Sequence, residues 1–298
     1  PVHLVFDAAV EEAEKLGLRV TGSELVGLIP KEALLMAGRY YLEKQGKSPG
    51  VPEEELVRMA VRSLGLNDVV PFDPDKKIIE NQFKDTRPSL LKLNLREFAA
   101  ALSLDSPTPG GGSAAALCAA LSASLSAMVA NLTIGKKGYE KISKEMKEAA
   151  LGAQKLKDEL LSAVDEDTRA FNKVMEAFGL PGGSEEQARE KEAAVEKASQ
   201  QATLVPLSVL ERCVPLLELA AFVAQKGNRN SLSDAGVAGL AAEAAAGGAF
   251  YNVKINLPGI RDSAFKAEVL KRGEEAFGRV SRLGAEIKAL IGEQLNKT

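Results

Sequence analysis

The run SPTPGGGSAAALCAALSASLSAMVANLTI, residues 106–134, decides how the rest of the chain is read. No charged residue falls between Asp105 and Lys136, and the body of the run is Ala, Ser and Leu. Three structures compete for it: a membrane span, a close-packed core helix, or a ligand site on a helix N-terminus. The length matches a transmembrane segment. Yet Leu117, Leu121, Leu125, Met128 and Leu132 form one stripe at spacings of three and four, with mostly Ala and Ser between them. Small side chains let neighbouring helices approach, and serine hydroxyls bond back to carbonyls inside a packed bundle. The expectation is a buried central helix opened by Ser113, an N-cap that contributes about 1 kcal/mol relative to Ala. Gly110, Gly111 and Gly112 before it allow two readings: a plain loop ahead of a capped helix, or backbone that approaches a carboxylate or phosphate.

The whole sequence of 298 residues is 45% hydrophobic and 27% charged, with a net charge of −3. Such a composition describes a soluble globular protein of about two domains with a sizeable core. Near neutrality gives no reason to expect nucleic acid or a membrane surface as partner. Cys118 and Cys213 are far apart and no CxxC occurs, so neither a disulfide framework nor a metal site is indicated, and a cytoplasmic setting fits. The sequence opens with no signal-peptide pattern. Its single histidine is His3. Proton transfer must therefore rely on Asp, Glu, Lys or Tyr.

The pattern divides the chain into residues 1–82, a linker at 83–92, and residues 93–298. In the first part, LRVTGSELVGLIP (18–30) reads as a strand with a glycine break, followed by helices begun at Pro30 and Pro52. One strand cannot make a sheet. This part is therefore expected to be the truncated remnant of a larger α/β unit. From Leu93 onward the period is helical throughout, with Pro206 and Pro215 expected to kink or split a long helix over 184–225. The fold class is mostly α: a small truncated α/β segment followed by an all-α helical bundle.

Polar residues stand out against this background. In VDEDTRAF (164–171), Asp167 falls on the apolar stripe that runs through Leu156, Leu160 and Val164 to Phe171, with Asp165 and Glu166 on its flanks. A carboxylate on a buried face is either hydrogen-bonded between helices or set to act on a ligand. Asp234 lies in the first turn of the helix beginning in GNRNSLSD (227–234), where the helix dipole favours an acid in any case. Asn252 and Asn256 share a helix face among Val253, Ile255 and Leu257. With Asn228, these amides suit either a heterocycle or a frayed helix end. Lys136 fits a ligand carboxylate or a solvated turn.

Taken in order and spacing, TPGGGS, IGKKGYE, EDTRAF, GNRNSLSD and FYNVKINL resemble the cyclodeaminase domain of the formimidoyltransferase-cyclodeaminase family over roughly residues 93–290. TGSELVGLIPKEALLMAGRYYLE and LGLNDVVPFDPDKKIIE are similar to the end of the family's transferase C-terminal subdomain. The resemblance implies conversion of 5-formimidoyltetrahydrofolate to 5,10-methenyltetrahydrofolate and ammonia. Methenyltetrahydrofolate cyclohydrolase activity and a non-catalytic folate-binding or oligomerisation module are the alternatives. It implies a tetrahydrofolate derivative as substrate, possibly polyglutamylated, with no prosthetic group and no metal. A homodimer or higher homo-oligomer and a longer parent chain carrying the transferase N-terminal portion are also implied, and no transferase activity is expected of this segment. On that reading Asp167 is the principal acid/base and Asp234 its partner or a cation stabiliser. Asn228, Asn252 and Asn256 orient the pteridine. Gly110, Gly111, Gly112 and Ser113 pack on the ligand or take its carboxylate tail, with Lys136 assisting.

Overall fold

The computed structural model describes residues 1–83 and 88–296; residues 84–87, inside the expected linker, and 297–298 lie outside the described residues. The chain is mostly helical. It divides into two compact units, Pro1–Pro88 with Ile134–Leu151, and Ser89–Thr133 with Gly152–Thr298. The excursion of 134–151 into the first unit has no signature in the sequence.

The first unit holds α1 (Val2–Lys15), α2 (Lys31–Lys44), α3 (Glu53–Ser63) and three one-turn helices, α4 (Leu66–Val69), α5 (Pro74–Lys77) and α6 (Ile79–Gln82). Pro30 and Pro52 precede α2 and α3 as their N-caps, since a residue with fixed φ and no N–H suits a helix start. The strand expected over 18–30 does not form. Among the described residues only an isolated parallel bridge joins Ile29 to Ile78, through Ile29 N–H to the Lys77 carbonyl (2.9 Å) and Ile79 N–H to the Ile29 carbonyl (3.0 Å). A β-prone run without a neighbouring ladder leaves its backbone to irregular contacts, and Val26 is 90% exposed. Close packing explains why 134–151 belongs here: a Cβ on Gly50 would stand 2.4 Å from the Ala150 side chain.

The second unit begins with α7 (Leu95–Leu102), closed by a capping box between Asn94 and Glu97. Then come α8 (Gly111–Thr133), α9 (Ser143–Phe178, whose residues from Gly152 belong to this unit), α10 (Glu185–Lys226), α11 (Leu232–Asn256) and α12 (Ser263–Leu295). Ser184 and Gln187 form a second capping box at the start of α10, and Asp262 caps α12. The core gathers Leu160, Leu207, Leu210, Leu216 and Leu217, all fully buried, each contributing about 1.5–3 kcal/mol.

Three expectations are corrected here. Helix α8 starts at Gly111, so Ser113 lies inside it and is not its N-cap. Its stripe of large residues also faces outward: Leu121 is 52% and Leu132 51% exposed, while Ala116, Ala119, Ala120, Ala123 and Ala127 are buried. The small face wins because it lets α11 come close enough for Ser122 Oγ to donate to the Ala238 carbonyl at 2.8 Å. By length and hydropathy α8 is apolar enough to cross a membrane, yet 61% of its most apolar window is buried inside the protein. Finally, α10 is not split: it continues as one helix through Pro206 and Pro215. A proline has no N–H, so Pro206 leaves the Ala202 carbonyl without its intrahelical donor. Asn256 Nδ2, from α11, supplies a donor at 3.1 Å.

Candidate functional site at the N-terminus of helix α8

Helices α8 and α11 run antiparallel: Gly111 lies beside Asn252, Ala115 beside Gly248, and Ser122 beside Ala238. The candidate site lies where the N-terminus of α8 meets α9. Asp167, half-buried on α9, rests its carboxylate on Gly112. A Cβ at that position would stand 2.0 Å from Oδ1 and 2.5 Å from Cγ, so only glycine permits the contact. Both the backbone N–H and the hydroxyl of Ser113 face the carboxylate, the latter at 3.1 Å from Oδ2. Asp167 therefore caps α8 from outside, occupying the position the helix dipole offers an anion. The Ser113 hydroxyl also lies 2.9 Å from the Val164 carbonyl and 3.2 Å from Thr168 Oγ1. Thr168 was not singled out by sequence reasoning, because nothing in the pattern shows it reaching across to α8.

Burial raises the Asp167 pKa above its ordinary value, and the Ser113 hydroxyl and N–H only partly offset that rise. A carboxyl whose pKa is raised, beside backbone donors, is suited to accept a proton and return it. Its neighbour Asp165 is committed differently. Also buried, at 8% exposure, it accepts from the Ser89 hydroxyl (2.6 Å) and the Leu90 N–H (2.7 Å), fastening the segment that leads into α7. Two carboxylates two residues apart thus divide into a structural latch and a reactive candidate.

Among the amides, Asn252 stands at this end: a Cβ on Gly111 would lie 3.4 Å from its Nδ2, which donates to the Gly248 carbonyl at 2.8 Å. Asn256 is one turn further along α11 with its amide N–H engaged by Ala202. Gly110 precedes the helix, and its carbonyl accepts from the Ala114 N–H. The remaining residues are elsewhere. Asp234 is in the first turn of α11, about 27 Å along the helix axis from Asn252. Within one chain it does not meet Asp167. Asn228 is fixed at that far end of α8, its N–H donating to Thr133 Oγ1 (2.9 Å) and its Nδ2 to the Leu132 carbonyl (3.5 Å). Lys136 belongs to the other compact unit. Among the described residues no cluster of His, Cys, Asp and Glu is arranged to hold a metal ion.

Residues 94–275 match the family model described as formiminotransferase-cyclodeaminase, and residues 1–84 match that of the formiminotransferase domain. Formimidoyltransferase-cyclodeaminase of Mus musculus is 38% identical over 289 residues, covering 96% of this chain and 52% of its own length. The chain thus spans about half the length of such relatives. Methenyltetrahydrofolate cyclohydrolase of Methylorubrum extorquens is 38% identical over 202 residues, 68% of this chain and 97% of its own length. The crystal structure of formiminotetrahydrofolate cyclodeaminase from Thermotoga maritima superposes with a TM-score of 0.63 at 30% identity, over 70% of this chain and 100% of that one. With a family model matched across well over half its residues, this chain belongs to the formiminotransferase-cyclodeaminase family.

Proposed function

We propose that the chain closes the amidine of 5-formimidoyltetrahydrofolate onto N10, forming 5,10-methenyltetrahydrofolate and releasing ammonia. The observation that carries this reading is the Asp167 carboxylate, seated on Gly112 with a raised pKa. N10 attacks the carbon of the amidine in its protonated, amidinium form, whose nitrogen already carries two hydrogens, forming the N10–C bond and giving up its proton to Asp167. The protonated carboxyl then passes that proton to the former imino nitrogen. The C–N bond breaks, ammonia leaves, and the lone pair on N10 completes the methenyl cation. Such acid–base assistance is typically worth about 10²–10⁴-fold. Asn252 and the remaining capacity of Asn256 orient the pteridine, with the backbone at Gly110–Ser113 as its floor.

Asp234 enters this site from a second copy of the chain, while Asn228 stays committed to its own helices. Support comes from the outer face of α8 and α11, where Leu121, Met128 and Leu132 lie exposed beside Val237, Leu240, Tyr251 and Ile255. Helix α8 carries no charge at all. The face is about 35 Å long and 20 Å wide, close to the roughly 800 Å² per partner of a specific interface. A two-fold axis across an antiparallel pair carries the Asp234 end of one copy to the Asp167 end of the other. There Asp234 balances the forming cation.

A second reading is favoured by the cyclohydrolase relative, which is matched across nearly its whole length: hydrolysis of 5,10-methenyltetrahydrofolate by the same carboxyl acting on water. Purified protein is offered each substrate while methenyl absorbance and free ammonia are followed. Rising absorbance with stoichiometric ammonia is the expected result; turnover of the methenyl compound alone would assign the hydrolase. No transferase role is proposed for residues 1–84, whose histidine, His3, is buried and stacked on Tyr40 at 4.5 Å.

A further inference from the structure

A cavity of about 710 Å³ forms a groove between the C-terminal half of α9 and the N-terminal half of α10. It has no part in the proton transfers above. Its floor is alanine and Val205, and its walls carry Arg169, Lys173 and Lys197, with Glu166 and Glu176 also lining it. The two helices run antiparallel, Glu159 of α9 pairing with Arg212 of α10 at 2.8 Å. That register sets Lys173 opposite Lys197. Both line the groove above its apolar floor, and among the described residues neither makes an ion pair. An anion between them would relieve their repulsion.

The groove adjoins the candidate site through sequence neighbours on both walls. Glu166 and Ala170, which line it, flank Asp167 on α9 within one turn. Gln201 and Val205, on the opposite wall, bracket Ala202, the residue whose carbonyl Asn256 holds. From Asp167 to Lys173 is about 9 Å along α9. A para-aminobenzoyl amide attached at N10 spans a comparable distance before its glutamate carboxylates begin.

Resting on the cyclodeaminase reading, we propose that this groove is the tail subsite: the benzoyl ring lies over the alanine floor and the glutamate carboxylates bind between Lys173 and Lys197. Arg169, 3.9 Å from the buried Asp165 carboxylate, is partly neutralised and stands nearer the ring. This assignment moves the tail away from Lys136.

Calorimetry with tetrahydrofolate and with tetrahydropteroate, which lacks the glutamate, tests the proposal on the intact chain. The wild type should bind the glutamyl compound about 10-fold or more tightly, as expected for two charge-assisted contacts. In Lys173→Ala/Lys197→Ala that preference should collapse, and Lys173→Arg/Lys197→Arg should restore it. Equal affinities in the wild type, or a preference that survives in the alanine variant, overturns the subsite. Absence of turnover would instead sink the cyclodeaminase reading and leave this binding comparison standing.

Discussion

At the Gly111 end of the α8–α11 pair, a carboxylate and an amide stand against glycine backbone, and the carboxyl pKa is raised by burial. At the Thr133 end, the amide of Asn228 is taken up by backbone and hydroxyl groups of α8 and of its own turn. Both ends belong to the same two small-residue helices. The difference shows that motif residues of similar polarity do separate jobs: one end keeps a costly, adaptable carboxylate, and the other locks the helices together. The same contrast recurs within three residues of α9, where Asp165 is a latch and Asp167 is not.

The largest expected effect comes from setting the two ends against each other. Asp167→Asn and Asp234→Asn should each release ammonia at least about 10²-fold more slowly. Mixed after dissociation and reassembly, they should regain about a quarter of the wild-type rate, because half the dimers are hybrids and each hybrid holds one intact site. No recovery would return both acids to separate roles within single chains. Asp167→Asn also carries a stability signature. Because the folded pKa is raised, the favourable contribution of the protonated carboxyl is full below the unfolded value of 3.8 and is lost as pH rises through the folded value. Differential scanning calorimetry should therefore show the variant gaining on the wild type as pH increases toward neutrality.

Gly112→Ala asks whether close approach gives the Gly111 end its proposed role. The added methyl must displace the carboxylate, so kcat should fall by about 10²-fold and stability by about 1–3 kcal/mol. Near-normal kinetics would mean that the Asp167–Gly112 contact has no bearing on turnover.

The smallest effect concerns Asn256. Removing its side chain in Asn256→Ala leaves the Ala202 carbonyl without a donor, at a cost of about 1 kcal/mol in chemical denaturation. In a Pro206→Ala background the helix supplies its own N–H, and the cost of Asn256→Ala should nearly vanish. Additive losses would show that the amide is not repairing the proline gap.

Helical character and the oddity of a carboxylate on the α9 stripe were legible in local pattern, because periodicity is a short-range effect; the capping boxes at Asn94 and Ser184 came to light only in the structure. The strand at 18–30 was misread for the opposite reason. Its residues favour extended backbone, but pairing depends on a neighbour that the segment does not specify. On α8 the usual rule that large apolar residues mark the buried face inverted. Packing density there depends on how closely α11 can approach, a property of two helices together.

Sequence alone therefore determined the class of fold and the few polar side chains that an apolar helix would not otherwise tolerate. Tertiary structure decided which of those side chains are latches and which remain adaptable. It seated Asp167 on Gly112 and carried Asp234 to the far end of a 25-residue helix. The reason is physical: a hydrogen-bond partner, a desolvated carboxyl and an antiparallel register are each created by contacts between segments distant in sequence.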